Sequence, residues 1–302
     1  MKTGVVGGLV ALVALVGLNA SADAAYPGAN GKIIFEHKAD QFAKNSDPWT
    51  VSAGDPGTAR KLVKIRETSD NFVYSPNGKK LVFEADVPAE ELVVMKANGA
   101  KPKVITAKIH KCIGKKDPTW SPNGKKIAFT CFDPKTTGEH DIWSVKANGK
   151  GLRQISRTHN AFEAAWSPRG DKIAYTSYGG SIYTVPANGG TSTMISEEAP
   201  GGVFGGIYQG VDWSPDGQTL VSDSSGDGIY TINATTGATS TDLADGGSEP
   251  VFSPDGKKIL YVGGAESSGV NLDLWMMDVN GTNKQRVTQG GYDRAPNWGP
   301  AR

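Results

Sequence analysis

The stretch Tyr74-Ser75-Pro76-Asn77-Gly78-Lys79-Lys80-Leu81-Val82-Phe83 decides the architecture, because the chain writes it repeatedly. Trp120-Ser121-Pro122-Asn123-Gly124 runs into Ile127-Ala128-Phe129. The phrase returns at Trp166-Ser167-Pro168-Arg169-Gly170, Trp213-Ser214-Pro215-Asp216-Gly217 and Phe252-Ser253-Pro254-Asp255-Gly256. Successive serines lie 46, 46, 47 and 39 residues apart. Pro sets φ at the first turn position, Asn or Asp tolerates the next, and Gly takes the left-handed one. An apolar run enters and another leaves, so each copy predicts a hairpin.

A second phrase follows each hairpin: Leu92-Val93-Val94-Met95, Ile142-Trp143-Ser144-Val145, Ile182-Tyr183-Thr184-Val185, Ile229-Tyr230-Thr231-Ile232 and Leu274-Trp275-Met276-Met277. These β-branched and aromatic runs predict third strands, mostly ended by Asn-Gly turns at 98–99, 148–149, 188–189 and 280–281. Short fourth strands are expected at Val104-Ile105-Thr106, Leu152-Arg153-Gln154-Ile155 and Gln285-Arg286-Val287-Thr288. A four-stranded meander of about 40 to 47 residues is the blade of a propeller.

The ends of the chain complete a sixth blade. Pro296-Asn297-Trp298-Gly299-Pro300 is the first half of the phrase, and Asn30-Gly31-Lys32-Ile33-Ile34-Phe35 is its second half. Gly31 precedes Gly78 by 47 residues, one period. An inner strand from the C-terminus paired with the N-terminal strands would close the ring and leave no free sheet edge there. The fold class is therefore all-β, a six-bladed propeller of four-stranded antiparallel blades.

Composition supports this reading and removes other classes. The 39 Gly and 17 Pro among 302 residues argue against a helical bundle. Lys+Arg 32 against Asp+Glu 31 gives a net charge of +1, without the basic excess of a nucleic-acid or anionic-membrane binder. Residues 1–24 read as an export signal: Lys2, then an apolar run from Val5 to Leu18, then Ala22-Asp23-Ala24 as a small-x-small cleavage pattern. Later in the chain no segment is apolar enough to span a membrane. The expected organisation is a signal peptide at 1–24 and a propeller at 25–302, acting as a monomer in the periplasm, the cell envelope or outside the cell.

The recurring W-S-P-D/N-G-K-K-I-A-F and D-I-W-x-V phrases resemble the TolB-type propeller over about residues 26 to 302. The resemblance implies a central channel used for recognition. TolB proteins carry an α/β domain before the propeller, and the related peptidases carry a hydrolase domain; the chain length leaves room for neither. There is also no G-x-S-x-G elbow. Fold alone does not assign function.

Candidate site residues fall where the blades would meet at one mouth of the channel. Four residues before the motif serine, or before Gly299, the column reads Asn71, Asp117, Glu163, Gly210, Glu249 and Ala295, with Asp70, Asp212 and Asp293 nearby. Asp117, Glu163, Asp212 and Glu249 are the oxygen ligands from which a channel Ca²⁺ site would be built; otherwise no cofactor is expected. The competing reading is that each carboxylate accepts N–H bonds within its own turn. For a bound protein segment or glycan, Phe72, Phe162, Phe204, Tyr208 and Tyr292 would stack, and Asp117, Glu163, Asp212, Glu249, Asp293 and Arg294 would give polar contacts.

His37, His110, His140 and His159 are expected on the same face, where they could be surface residues or hold a transition metal. The alternative function is accordingly a metal-dependent polysaccharide lyase or hydrolase, as some related propellers resemble lyases that use such a site. Cys112 and Cys131 belong to one face of one blade and are expected to pair in an exported protein. Asp223-Ser224-Ser225-Gly226-Asp227-Gly228 mimics the start of an EF-hand loop, but Ala234 at its twelfth position and the missing helices make it a tight turn.

Overall fold

A computed structural model describes residues 27–39, 46–63, 69–86, 90–133, 139–178, 180–197, 210–224, 228–263 and 272–301. Phe204, Tyr208 and the leader at 1–24 lie outside the described residues. Every regular element described is a β-strand, and the strands form six antiparallel sheets.

Blade 1 joins the chain ends, in the order β23 (Tyr292–Pro300), β1 (Asn30–Lys38), β2 (Asp47–Ser52) and β3 (Asp55–Lys61). Blade 2 comprises β4 (Ser69–Tyr74), β5 (Lys80–Asp86), β6 (Glu90–Lys96) and β7 (Lys103–Val104). Blade 3 comprises β8 (Lys115–Trp120), β9 (Lys126–Phe132), β10 (His140–Lys146) and β11 (Arg153–Gln154). Blade 4 comprises β12 (Ala161–Trp166), β13 (Lys172–Ser177), β14 (Ile182–Pro186) and β15 (Thr193–Ser196).

Blade 5 has three strands, β16 (Val211–Trp213), β17 (Thr219–Ser224) and β18 (Gly228–Asn233). Its fourth position is reduced to a single bridge between Ile232 and Thr239. Blade 6 comprises β19 (Ser248–Phe252), β20 (Lys258–Gly263), β21 (Asp273–Asp278) and β22 (Gln285–Arg286). The ring closes as the split repeat predicts, with β1 pairing β23 from Asn30↔Pro300 to Lys38↔Tyr292.

The hairpin chemistry is the same in every intact copy. Gly78, Gly124, Gly170, Gly217 and Gly256 have φ between 63 and 73°. Each donates its N–H to the carbonyl of the motif serine at 2.7–2.9 Å. The serine hydroxyl then accepts from the first residue of the outgoing strand, as in Lys80 N–H to Ser75 Oγ at 3.0 Å. Gly31, the equivalent in blade 1, has no left-handed φ, because the chain is broken there. A Cβ on it would lie 2.4 Å from the Pro300 carbonyl oxygen, so its lack of a side chain permits closure.

Both faces of each blade are covered by neighbours, so the second strands read as continuous apolar runs such as Leu81-Val82-Phe83. The core is accordingly six clusters, one at each blade interface. Ile34 with Phe72, Leu81 and Phe83 joins blades 1 and 2; Val82 and Leu92 with Trp120 and Phe129 join 2 and 3. Ala128 and Ile142 with Ile173 and Tyr175 join blades 3 and 4; Ala165 with Trp213 joins 4 and 5. Val221 with Phe252 joins 5 and 6, and Leu260 with Ile33 and Trp298 closes the circle. Cys112 and Cys131 form a disulfide with a Cα–Cα distance of 5.3 Å inside the blade 2–3 cluster. No helix among the described residues is long and apolar enough to cross a membrane.

Candidate functional site

The inner strand of each blade carries an irregularity at the predicted column. Asn71, Asp117, Glu163, Glu249 and Ala295 have φ between 46 and 53°, and Gly210 has 45°. Pairing slips on either side, between Asp70 and Val73, Lys116 and Thr119, Phe162 and Ala165, and Ser248 and Val251. These are β-bulges, which turn a backbone N–H out of the ladder and so require another acceptor.

The acceptor always comes from the preceding blade. Glu36 Oε1 accepts from Asn71 N–H at 2.6 Å, Glu84 Oε1 from Asp117 N–H at 2.7 Å, and Thr130 Oγ1 from Glu163 N–H at 3.1 Å. Glu163 Oε2 accepts from Gly210 N–H, Asp223 Oδ2 from Glu249 N–H at 3.2 Å, and Glu249 Oε2 from Ala295 N–H at 2.6 Å. Six clasps thus run round the whole ring. Four come from one position of the second strand, held by Glu36, Glu84, Thr130 and Asp223. Where that position is Thr176, bonded to the Phe162 carbonyl at 3.4 Å, or apolar Val262, the bulge glutamate of the same blade takes over.

Two residues beyond the bulge a further set of contacts alternates. Asn297, Thr119 and Asp212 accept from the N–H of Tyr74, Trp166 and Phe252 at 2.9, 3.4 and 2.9 Å. In the intervening blades the position is apolar, and the Val73 and Ala165 carbonyls accept from the indoles of Trp120 and Trp213 at 3.2 and 3.1 Å. Glu163, Asp212 and Glu249 therefore fasten the ring across blades with their carboxyl groups, which differs from a carboxylate serving its own turn. Asp117 instead enters its clasp through its N–H, and its Oδ2 accepts from the Thr130 hydroxyl of the same blade at 3.0 Å.

These residues line the channel, a cavity of about 330 Å³ whose wall includes Asn71, Asp117, Glu163, Asp212, Glu249 and Asn297. Among the described residues, four carboxyl groups and no cationic side chain line it. Burial pushes Glu84 up to about 8, helped by the Asp117 charge, and Asp212 up to about 7. Burial likewise raises Glu36, with Asp70 adding to it, Glu163, with Asp117 adding to it, and Asp117 and Asp223. Among the described residues no three His, Cys, Asp or Glu side chains are placed to hold a metal ion.

The other candidates scatter. Phe72 is 1% exposed and stacks on Phe83 with centroids 4.8 Å apart. Phe162 packs with His140 at 4.3 Å and edge-on to Tyr178 at 4.5 Å, and Phe132 meets His140 at 3.9 Å. His140 is thus a buried aromatic partner, while Tyr178 is 57% exposed. His37 Nδ1 lies 2.6 Å from Oδ1 of buried Asp293, and its ring sits against Trp49. His159 is exposed beside Glu139 and Asp141, His110 lies in the connection before β8, and Arg294 faces Tyr292. Sequence reasoning missed Glu36, Glu84, Thr130 and Asp223. Their signal was a second column, the polar residue that ends the apolar run in every blade but blade 6.

A six-bladed ring closed by pairing of β1 with β23, with carboxyl groups at its channel mouth, defines a six-bladed β-propeller. The model of the TolB beta propeller domain matches residues 50–302, and the chain belongs to that family. Among solved structures it is similar to TolB from Acinetobacter baumannii, at 20% identity and a TM-score of 0.73, covering 91% of this chain and 68% of that one. A putative TolB from Agrobacterium tumefaciens matches at 20% identity and 0.65, covering 87% and 91%. An oligogalacturonate lyase in complex with manganese matches at 15% identity and 0.60, covering 88% and 77%. No curated protein matches.

Proposed function

We propose that this protein is an exported recognition propeller that binds a segment of an envelope or extracellular protein, or a glycan, at the channel mouth, and that it performs no catalysis. One observation carries the reading: the funnel is one-signed in its ionisable groups, and its wall is fixed by six cross-blade clasps. Such a wall is organised before the ligand arrives, which lowers the ordering cost of binding. The disulfide in the blade 2–3 core and the leader-like residues 1–24 support an oxidising, extracytoplasmic location.

The test is capture from an envelope extract by the whole protein, compared with Asp117→Asn and Glu163→Gln. These isosteres keep a side-chain acceptor oxygen and remove the carboxyl group's ability to ionise. A partner retained by the parent and lost by both variants is the expected result. Equal recovery by all three proteins would remove the channel mouth as the site. Metal analysis checks the lyase or hydrolase alternative: stoichiometric manganese, zinc or iron, with cleavage of a polysaccharide, would overturn the non-catalytic reading.

A further inference from the structure

A second cavity, of about 920 Å³, opens at the other end of the strands, in the cleft between blades 1 and 2. The fold of the split blade builds it. On β2 the side chains of Thr50 and Ser52 share one face, Lys32 of β1 stands opposite Ser52, and Arg60 of β3 stands opposite Thr50. The Asn98 turn of blade 2 forms the facing wall. Small residues at the rim, Gly31, Ala53, Gly54, Gly78 and Ala97, leave the space unfilled.

The chemistry of this cleft is the reverse of the channel's. Among the described residues its charged lining is Lys32, Arg60 and Lys61, with no Asp or Glu. Lys61 is neutralised by Asp47 at 2.5 Å, whereas Lys32 and Arg60 have no ion-pair partner among the described residues. A guanidinium fork takes a carboxylate or phosphate in bidentate fashion, and a lysine adds a point charge. Thr50, Ser52 and Asn98 supply short hydroxyl and amide groups suited to sugar hydroxyls. The volume falls within the range of about 300–1,000 Å³ usual for small-molecule sites.

We propose that the blade 1–2 cleft is a binding site for an acidic sugar, a mono- or disaccharide bearing a carboxylate or a phosphate, with Arg60 and Lys32 holding the anion and the β2 hydroxyls and Asn98 reading the ring. This site is independent of the channel mouth. The shared chemistry is an oxyanion on a polyol, and the probes separate its sources: glucuronate, glucose 6-phosphate, inorganic phosphate and neutral glucose.

Calorimetric titration of the whole protein should give saturable binding of glucuronate or glucose 6-phosphate, inorganic phosphate binding at least tenfold more weakly, and no binding of glucose. Arg60→Gln and Lys32→Gln should each weaken the sugar anion by about tenfold, the scale of one charge-assisted contact. Both side chains are exposed, so the thermal melts should match the parent's. Asp117→Asn, in the channel, should leave this affinity unchanged while testing the channel reading separately. The proposal is overturned if neither sugar anion saturates, if glucose or free phosphate binds equally well, or if both cleft variants bind like the parent.

Discussion

Glu84 Oε1 receives two donors at once, the Asp117 N–H at 2.7 Å and the Asn71 side-chain amide at 2.6 Å. Both donors are partly buried, so losing the acceptor costs about 1–3 kcal/mol for each orphaned group. Glu84→Ala is therefore expected to lower the unfolding free energy by about 2–4 kcal/mol, read in a denaturant melt. Glu84→Gln keeps an acceptor oxygen and should cost far less. If the two variants melt alike, the clasp is not what holds blades 2 and 3. Ala295 offers the converse change. It sits at φ 46° with a Cβ, where left-handed backbone costs a non-glycine residue about 1–2 kcal/mol. Ala295→Gly should raise stability by up to about 1 kcal/mol, offset in part by the freer unfolded chain. The column containing Asp117, Glu163 and Glu249 was readable from the repeat. What Glu163 and Glu249 accept was not, because each donor lies a whole blade away in sequence.

Among the elements, β23 has the largest consequence for its length. It supplies the inner strand of blade 1, and Trp298 joins the core cluster between blades 6 and 1. Its Asn297 also accepts from Tyr74 N–H of blade 2. Deleting residues 293–302 should therefore open the ring and replace one cooperative melt by a broad, lower one; an unchanged melt would refute closure through this strand. The disulfide acts more locally, since its cysteines are 19 residues apart and both lie in blade 3's approach and second strand. Replacing both by serine should cost roughly 3 kcal/mol, mostly through the unfolded chain, without changing the ring. Hairpins were legible in the sequence because Ser-Pro-Asn-Gly fixes its own backbone. Outer strands were less so: β7, β11 and β22 are two residues long, and in blade 5 only the Ile232–Thr239 bridge forms. An outermost strand pairs on one side only, so little local chemistry marks it.

Across the whole molecule, the net charge of +1 conceals two ends of opposite character: a channel mouth lined by carboxyl groups and a blade 1–2 cleft lined by cations. Composition could exclude a generally basic surface, but only the ring geometry separates the two signs. The carboxyl end gives the fold a pH dependence whose direction follows from burial. Glu36, Glu84, Asp117, Glu163, Asp212 and Asp223 are all raised above their ordinary values, Glu84 to about 8 and Asp212 to about 7. Between about pH 4, where the unfolded chain releases these protons, and about pH 8, the folded ring retains protons that the unfolded chain has lost. Their contribution is complete below that window and fades as pH rises through it. At the acid end, Asp255 and Asp278, both lowered, work in the other direction, so the optimum should lie at the acid end of that window. Because 1 kcal/mol moves a melt of this size by about 2–4 °C, the midpoint should fall by about 5 °C or more between pH 5.5 and 8.5. Glu84→Gln combined with Asp212→Asn should flatten that slope by removing two of the six titrations. A midpoint that stays level or climbs over the same range would mean that the channel carboxyls are ionised in the folded ring, with a cation or water reaching them.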